Sequence, residues 1–155
     1  MSVSSVRPPP FPFPSINSQR VTKGSVLHRT HGSSFRPAQF NPCMGQPTRF
    51  APFQDSAGTC VLTLYAATSR EAAALESIFH DIETTAVFKT VRLDVVESRS
   101  VSRIAPKRDL LVAGLFASDL KACGISRGDL IETPKSTYGQ TAFLGSSDSR
   151  RQSGR

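Results

Sequence analysis

The stretch Leu62–Asp81, LTLYAATSREAAALESIFHD, restricts the possible folds more than any other part of the chain. Thr59 to Ala67 is short, apolar and β-branched, and it lies between Gly58 and a polar corner, so it predicts a buried strand. Thr68-Ser69-Arg70-Glu71 has the form of a capping box, with Thr68 accepting from the first turn and Glu71 bonding back. A helix follows to about Glu83, with Ala72, Leu75, Ile78, Phe79 and Ile82 on its apolar face. Glu76 falls at the border of that face, about 100° from its middle. A strand that ends on Tyr65 and a helix that carries Glu76 can direct a hydroxyl and a carboxylate into one cleft.

Elsewhere the pattern alternates between strands and helices. Val26–Arg29 is a short strand candidate after Gly24. Residues 85–96, TAVFKTVRLDVV, alternate and are β-branched, which predicts a strand. Val101–Ile104 reads as a connector before Pro106, and Asp109–Leu115 as a central strand. Ala117–Ala122 is a short helix closed by Gly124, and Ser126–Ile131 a further helical turn. Pro134 can open one more helix, carrying Tyr138 and Thr141. This mixture predicts an α/β or α+β domain. Between the first strands, residues 31–58 form a long irregular stretch rich in proline and glycine, with Phe35, Phe40, Phe50 and Phe53 available to pin it. Structureless loops of this length are uncommon and are often lids or binding loops.

The chain has 155 residues, enough for one domain with one core. Residues 1–24 are rich in proline and serine, and the last ten residues hold only Ser, Asp, Arg, Gln and Gly, so both ends are expected to be disordered. The net charge of +7 sits in the ends and the first loop, and residues 61–135 balance ten basic against ten acidic side chains. A basic tail of this kind aids solubility. Nucleic-acid binding is not expected, because no aromatic-interleaved basic patch, zinc-finger spacing or basic helix is present.

Cys43, Cys60 and Cys123 are odd in number and widely spaced, with no C-x-x-C, and so read as reduced thiols of a cytoplasmic protein. No apolar run approaches the ~20 residues of a membrane span. The leader lacks the apolar core of a signal peptide. His28 and His31 lack a third ligand at metal spacing, and no metal is expected.

Several segments, in this order and spacing, resemble the RES domain: LHR at 27–29, RFAP at 49–52, LYAA at 64–67, AALESIFHDI at 73–82, RDLLVAGL at 108–115 and DLKACGISRGDLIETPKSTYGQT at 119–141. The resemblance covers about residues 25–141, between a leader at 1–24 and a basic tail at 142–155. It implies an ADP-ribosyltransferase-like α+β fold, a small mixed sheet with flanking helices, whose C-terminal part is missing here. It also implies an NAD-consuming enzyme, a glycohydrolase, phosphorylase or ADP-ribosyltransferase. Such enzymes act as toxins of bacterial toxin–antitoxin pairs and are neutralised by a cognate Xre-type antitoxin.

By the same resemblance, Arg29 and Glu76 are the catalytic pair, and Arg49 and Tyr65 bind substrate. The family's serine, in a strand reading like Tyr-x-Ser-Arg, has no counterpart after Thr141, as in a truncated or frameshifted relative. That departure leaves an alternative expectation: a catalytically inactive relative that at most binds an antitoxin. The chemistry suits the residue types. Cleaving the ribose–nicotinamide bond builds positive charge on the sugar, which a fixed carboxylate such as Glu76 stabilises. The diphosphate calls for planar bidentate donors, which arginines supply.

Overall fold

A computed structural model describes residues 12, 14–46, 48–55, 57–79, 82, 85, 87–88, 90–132 and 138. Among them the chain is a mixed α+β protein built of small sheets and short helices. In chain order the elements are β1 (Ser18–Val21), β2 (Leu27–Gly32), α1 (Arg70–Leu75), α2 (Leu93–Glu97), β3 (Arg99–Ile104), β4 (Leu110–Ala113), α3 (Ala117–Ala122) and α4 (Arg127–Leu130). β1 and β4 form one two-stranded ladder, and β2 and β3 form another. The described residues fall into two compact units. The first draws on Met1–Gln19, Phe40–Thr63 and Leu111–Arg155, and the second on Arg20–Gln39 and Leu64–Leu110. No helix among the described residues is long and apolar enough to cross a membrane.

The second unit is organised by β2 and β3, which pair antiparallel from Leu27↔Ile104 to Gly32↔Arg99. Ser33 N–H donates to the Ser98 carbonyl at 2.9 Å, one step beyond the ladder. Along β3, Arg99, Val101 and Arg103 are exposed, whereas Ser100, Ser102 and Ile104 are half-buried. This is the period-2 pattern of a strand with one covered face. The connector expected at Val101–Ile104 is therefore a strand.

The strand expected at 85–96 is not found among the described residues of that stretch. Leu93–Glu97 is helix α2, and no other described residue of that stretch belongs to a strand. Asp94, in the first turn of α2, accepts from Arg92 Nε at 3.0 Å and Arg92 Nη2 at 2.5 Å. Val87, in the same stretch, is 90% exposed. β-Branched alternation yields a strand only where a partner takes up its backbone groups, and here β3 fills that place beside β2.

α1 starts one residue later than the capping box predicts. Ser69, at φ −130° and ψ 159°, is the N-cap, and its Oγ accepts from Ala72 N–H at 3.0 Å. Glu71 is held below the ordinary carboxylate value, first by its own backbone N–H and then by the Ser69 hydroxyl. The helix ends at Leu75 rather than near Glu83, because the Ala74 carbonyl accepts from the N–H groups of Ser77, Ile78 and Phe79 and widens the last turn. The covered face also differs from the expected one, since Ala73 is buried and Leu75 is exposed. Replacing Ser69 by alanine removes the cap and a donor to Glu71 together. The expected cost is about 1 kcal/mol, read as a lower denaturant midpoint with an unchanged slope.

In the first unit, α3 packs against α4. The link between them is a Schellman motif. Gly124 has φ 68°, its N–H donates to the Lys121 carbonyl at 3.0 Å, and Ile125 N–H donates to the Leu120 carbonyl at 2.9 Å. Ser126 then caps α4, its Oγ accepting from Asp129 N–H at 3.0 Å. Both helices and the closing glycine lie where the sequence places them. Ala51, Leu120, Cys123, Leu130 and Tyr138 are the buried apolar residues among the described residues of this unit.

Three further expectations change. The leader at 1–24 contains a strand, β1, within Ser18–Val21. The run Thr59–Ala67 is not a continuous strand; it makes single bridges, Gln54↔Cys60, Asn41↔Thr63 and His28↔Ala67. The three cysteines are not all thiols, because Cys43 and Cys60 form a disulfide and Cys123 alone is free. The Asn41↔Thr63 bridge brings the two flanks together, which a count of cysteine spacing does not reveal. With the disulfide, the thiol argument for a reducing compartment lapses. The helix after Pro134, apart from Tyr138, and the tail at 142–155 lie outside the described residues.

Candidate functional site

Arg29, Tyr65 and Glu76 belong to the second unit. Arg29 is in the middle of β2, opposite Ser102. Its Nη1 donates to the carbonyls of Pro37 at 2.7 Å and Gln39 at 2.6 Å. The guanidinium thus ties the turn after β2 back to the strand. Partial burial, through desolvation, lowers its pKa from the ordinary arginine value, though an arginine stays charged throughout the working pH range. A shallow depression at Arg36, Ala38 and Gln39 adjoins the tethered turn.

Tyr65 lies on the extended approach to α1. That approach is seated beside β2 by a reciprocal pair: His28 N–H donates to the Ala67 carbonyl at 2.7 Å, and Ala67 N–H donates to the His28 carbonyl at 2.8 Å. α1 then packs against β2. Tyr65 is 54% exposed. Glu76 is also exposed and forms the C-cap of α1 at φ −73° and ψ −11°. The sequence places it two turns into a longer helix; the structure places it where the helix stops, with its side chain open to solvent. β2, the corner and α1 therefore form one module carrying an arginine, a phenol and a carboxylate.

Arg49 belongs to the first unit. It follows Thr48, whose Oγ donates to the Ala51 carbonyl at 2.8 Å and closes a tight turn. The guanidinium carbon lies 5.4 Å from the centroid of the Tyr138 ring, and Nη2 donates to the Tyr138 hydroxyl at 3.3 Å. A cation over an aromatic face is stabilised by the ring quadrupole. The structure thus gives Arg49 a protein partner that the sequence does not pair with it.

Two polar clusters go unnoticed in the sequence. In the second unit, His31 is buried, with Nδ1 2.9 Å from the Gly32 carbonyl and Nε2 2.8 Å from Ser102 Oγ. A carbonyl can only accept, so Nδ1 carries a proton, and in the neutral ring Nε2 accepts from the serine. In the first unit, Asp119 is buried, with Oδ1 accepting from Asn17 Nδ2 at 2.9 Å and Oδ2 from Phe116 N–H at 3.3 Å. The partners lie 71 and 102 residues apart, too far for any local motif to link them. Among the described residues, no group of three His, Cys, Asp or Glu side chains is placed to hold a metal ion.

Comparison with known proteins finds no family model, no curated protein and no solved structure that matches this chain.

Proposed function

We propose that this chain is a RES-type domain that binds NAD and cleaves its ribose–nicotinamide bond, acting in the cytoplasm as a toxin held in check by an Xre-type antitoxin. The observation that carries the reading is the β2–corner–α1 module, seated by the His28–Ala67 pair, which gathers Arg29, Tyr65 and Glu76 in one unit. Glu76, exposed at the end of α1, is free to approach a sugar that develops positive charge. Tyr65, also exposed, offers a ring for the nicotinamide or a hydroxyl for the ribose. Arg29, in the same unit, supplies positive charge for the diphosphate, and the fold class agrees with the resemblance at a coarse level.

A second reading is favoured by one contact. Arg29 Nη1 directs both of its hydrogen bonds to backbone carbonyls, the pattern of a structural tether. This contact supports a catalytically silent relative that only binds an antitoxin. Incubating the purified chain with NAD, with and without phosphate, separates the two. The enzyme reading expects nicotinamide release, reduced at least ~10-fold by Glu76→Ala, the scale of one lost transition-state contact, with the fold intact by circular dichroism. Release no greater than that of the Glu76→Ala protein leaves the second reading.

A further inference from the structure

Cys43 and Cys60 are separated by 17 positions and joined by a disulfide, closing a loop of the first unit with Arg49 inside it. Outside the crosslink, Asn41 and Thr63 exchange two backbone hydrogen bonds, at 2.7 and 3.3 Å. Within the loop most of the bonds are short-range. Thr48 closes on Ala51, and the Asp55 carboxylate accepts from the N–H groups of Ala57 and Thr59, both at 2.9 Å. These bonds shape turns; the loop meets its base where Val61 N–H donates to the Phe53 carbonyl at 3.0 Å and Met44 N–H donates to Asn41 Oδ1 at 2.8 Å. Cys43 adopts φ 62°, a conformation that L-residues take up rarely.

We infer that the Cys43–Cys60 pair is a thiol-controlled latch: oxidised, it holds Arg49 against Tyr138; reduced, it releases the loop that carries Arg49. Both cysteines are half-buried, whereas Cys123 is buried, so a small reductant reaches the crosslink and leaves the third cysteine untouched. The reaction is thiol–disulfide exchange with two molecules of a monothiol such as glutathione. One thiolate attacks one sulfur of the pair, forming a mixed disulfide and expelling the other sulfur as a thiolate. A second reductant thiolate attacks the reductant sulfur of the mixed disulfide and displaces the first protein sulfur. Two electrons pass to the protein, the two reductant thiols become one disulfide, and the two cysteine thiolates take up protons.

A crosslink across a loop of about this length favours its closure roughly 100-fold over the open chain. Without it, the bridges at Asn41–Thr63 and Gln54–Cys60 and the Val61–Phe53 bond have to hold the base. Cytosolic disulfides are characteristically transient and redox-sensing, so the latch also accords with the cytoplasmic reading proposed above. Its structural basis is independent of NAD.

The test is limited trypsin cleavage of the full chain, equilibrated across glutathione mixtures from fully oxidised to fully reduced and read by mass spectrometry. The expected result is cleavage after Arg49 at least ~10-fold faster in the reduced protein, a lower bound on the loop-closure figure, with cleavage after Arg103 in β3 unchanged. A Cys43→Ser/Cys60→Ser variant should be cut quickly in every mixture, and Cys123→Ser should behave as the parent. If the double variant does not fold, the titration of the parent decides alone. Equal cleavage after Arg49 throughout, an equal rise after Arg103, or three reactive thiols under oxidised glutathione would each overturn the latch. Nicotinamide release is not part of the readout, so failure of the NAD reading would leave this result standing.

Discussion

Leu120→Ala is expected to cost about 3 kcal/mol, near the middle of the range for emptying a buried leucine site. Leu120 is 2% exposed on α3, the helix that packs against α4. Its backbone carbonyl anchors the Schellman motif through Ile125 N–H, a bond that the substitution retains, so the loss reports side-chain packing alone. For a chain of this size the midpoint of thermal unfolding should fall by about 6–12 °C. Leu111→Ala provides the contrast, since Leu111 is 74% exposed on β4 and its truncation should change stability by no more than about 0.5 kcal/mol. Equal losses at the two positions would show that Leu120 does not lie in the core.

The second large effect is expected at Gly114. A Cβ built there would lie 2.5 Å from Asp119 Oδ2, 2.9 Å from Asp119 Cγ and 3.3 Å from the Asn17 carbonyl oxygen. The backbone at Gly114 is not in the left-handed region, so an alanine there is opposed by contact rather than by conformation. The displaced group is a buried carboxylate held by Asn17 Nδ2 and Phe116 N–H. Moving it loosens hydrogen bonds to a charged group, each worth about 1.5–3 kcal/mol. Gly114→Ala should therefore cost about 3 kcal/mol, measured by denaturant titration. In an Asp119→Ala background the same change should cost less than about 1 kcal/mol, because coupled neighbours are not additive. Additive losses would rule out this steric account.

The local signals in the sequence predicted local structure well. Gly124 at the end of α3 and Ser126 at the start of α4 act through bonds that span three to five residues, and both stand where the sequence places them. The cap of α1 was legible to within one residue, because Thr68 and Ser69 offer the same chemistry and only the backbone decides between them. β3 and the 85–96 stretch show where such reasoning fails. RSVSRI has weaker alternation than TAVFKTVRLDVV, yet β3 becomes the strand because its backbone groups meet β2. A strand is a pairwise object, and one segment's pattern does not name its partner. The same limit hid the Cys43–Cys60 disulfide, the His31–Ser102 contact and the seat of Arg49 on Tyr138. At the candidate site, residue types were legible and surroundings were not. Arg29 turned out to be bonded to carbonyls, and Glu76 moved from the middle of a helix to its end.

The placement of the two tyrosines has a spectroscopic consequence. The chain has two tyrosines and no tryptophan, and the tyrosines are divided between the units, Tyr65 in the second and Tyr138 in the first. Tyr65 is exposed, and Tyr138 is buried beneath the Arg49 guanidinium. Each unit therefore carries its own native fluorophore in a contrasting environment, one open to a neutral quencher and one shielded from it. With phenylalanine replacing either ring in turn, the emission of the other becomes a label-free record of its own unit, so the two can be watched unfolding together or apart.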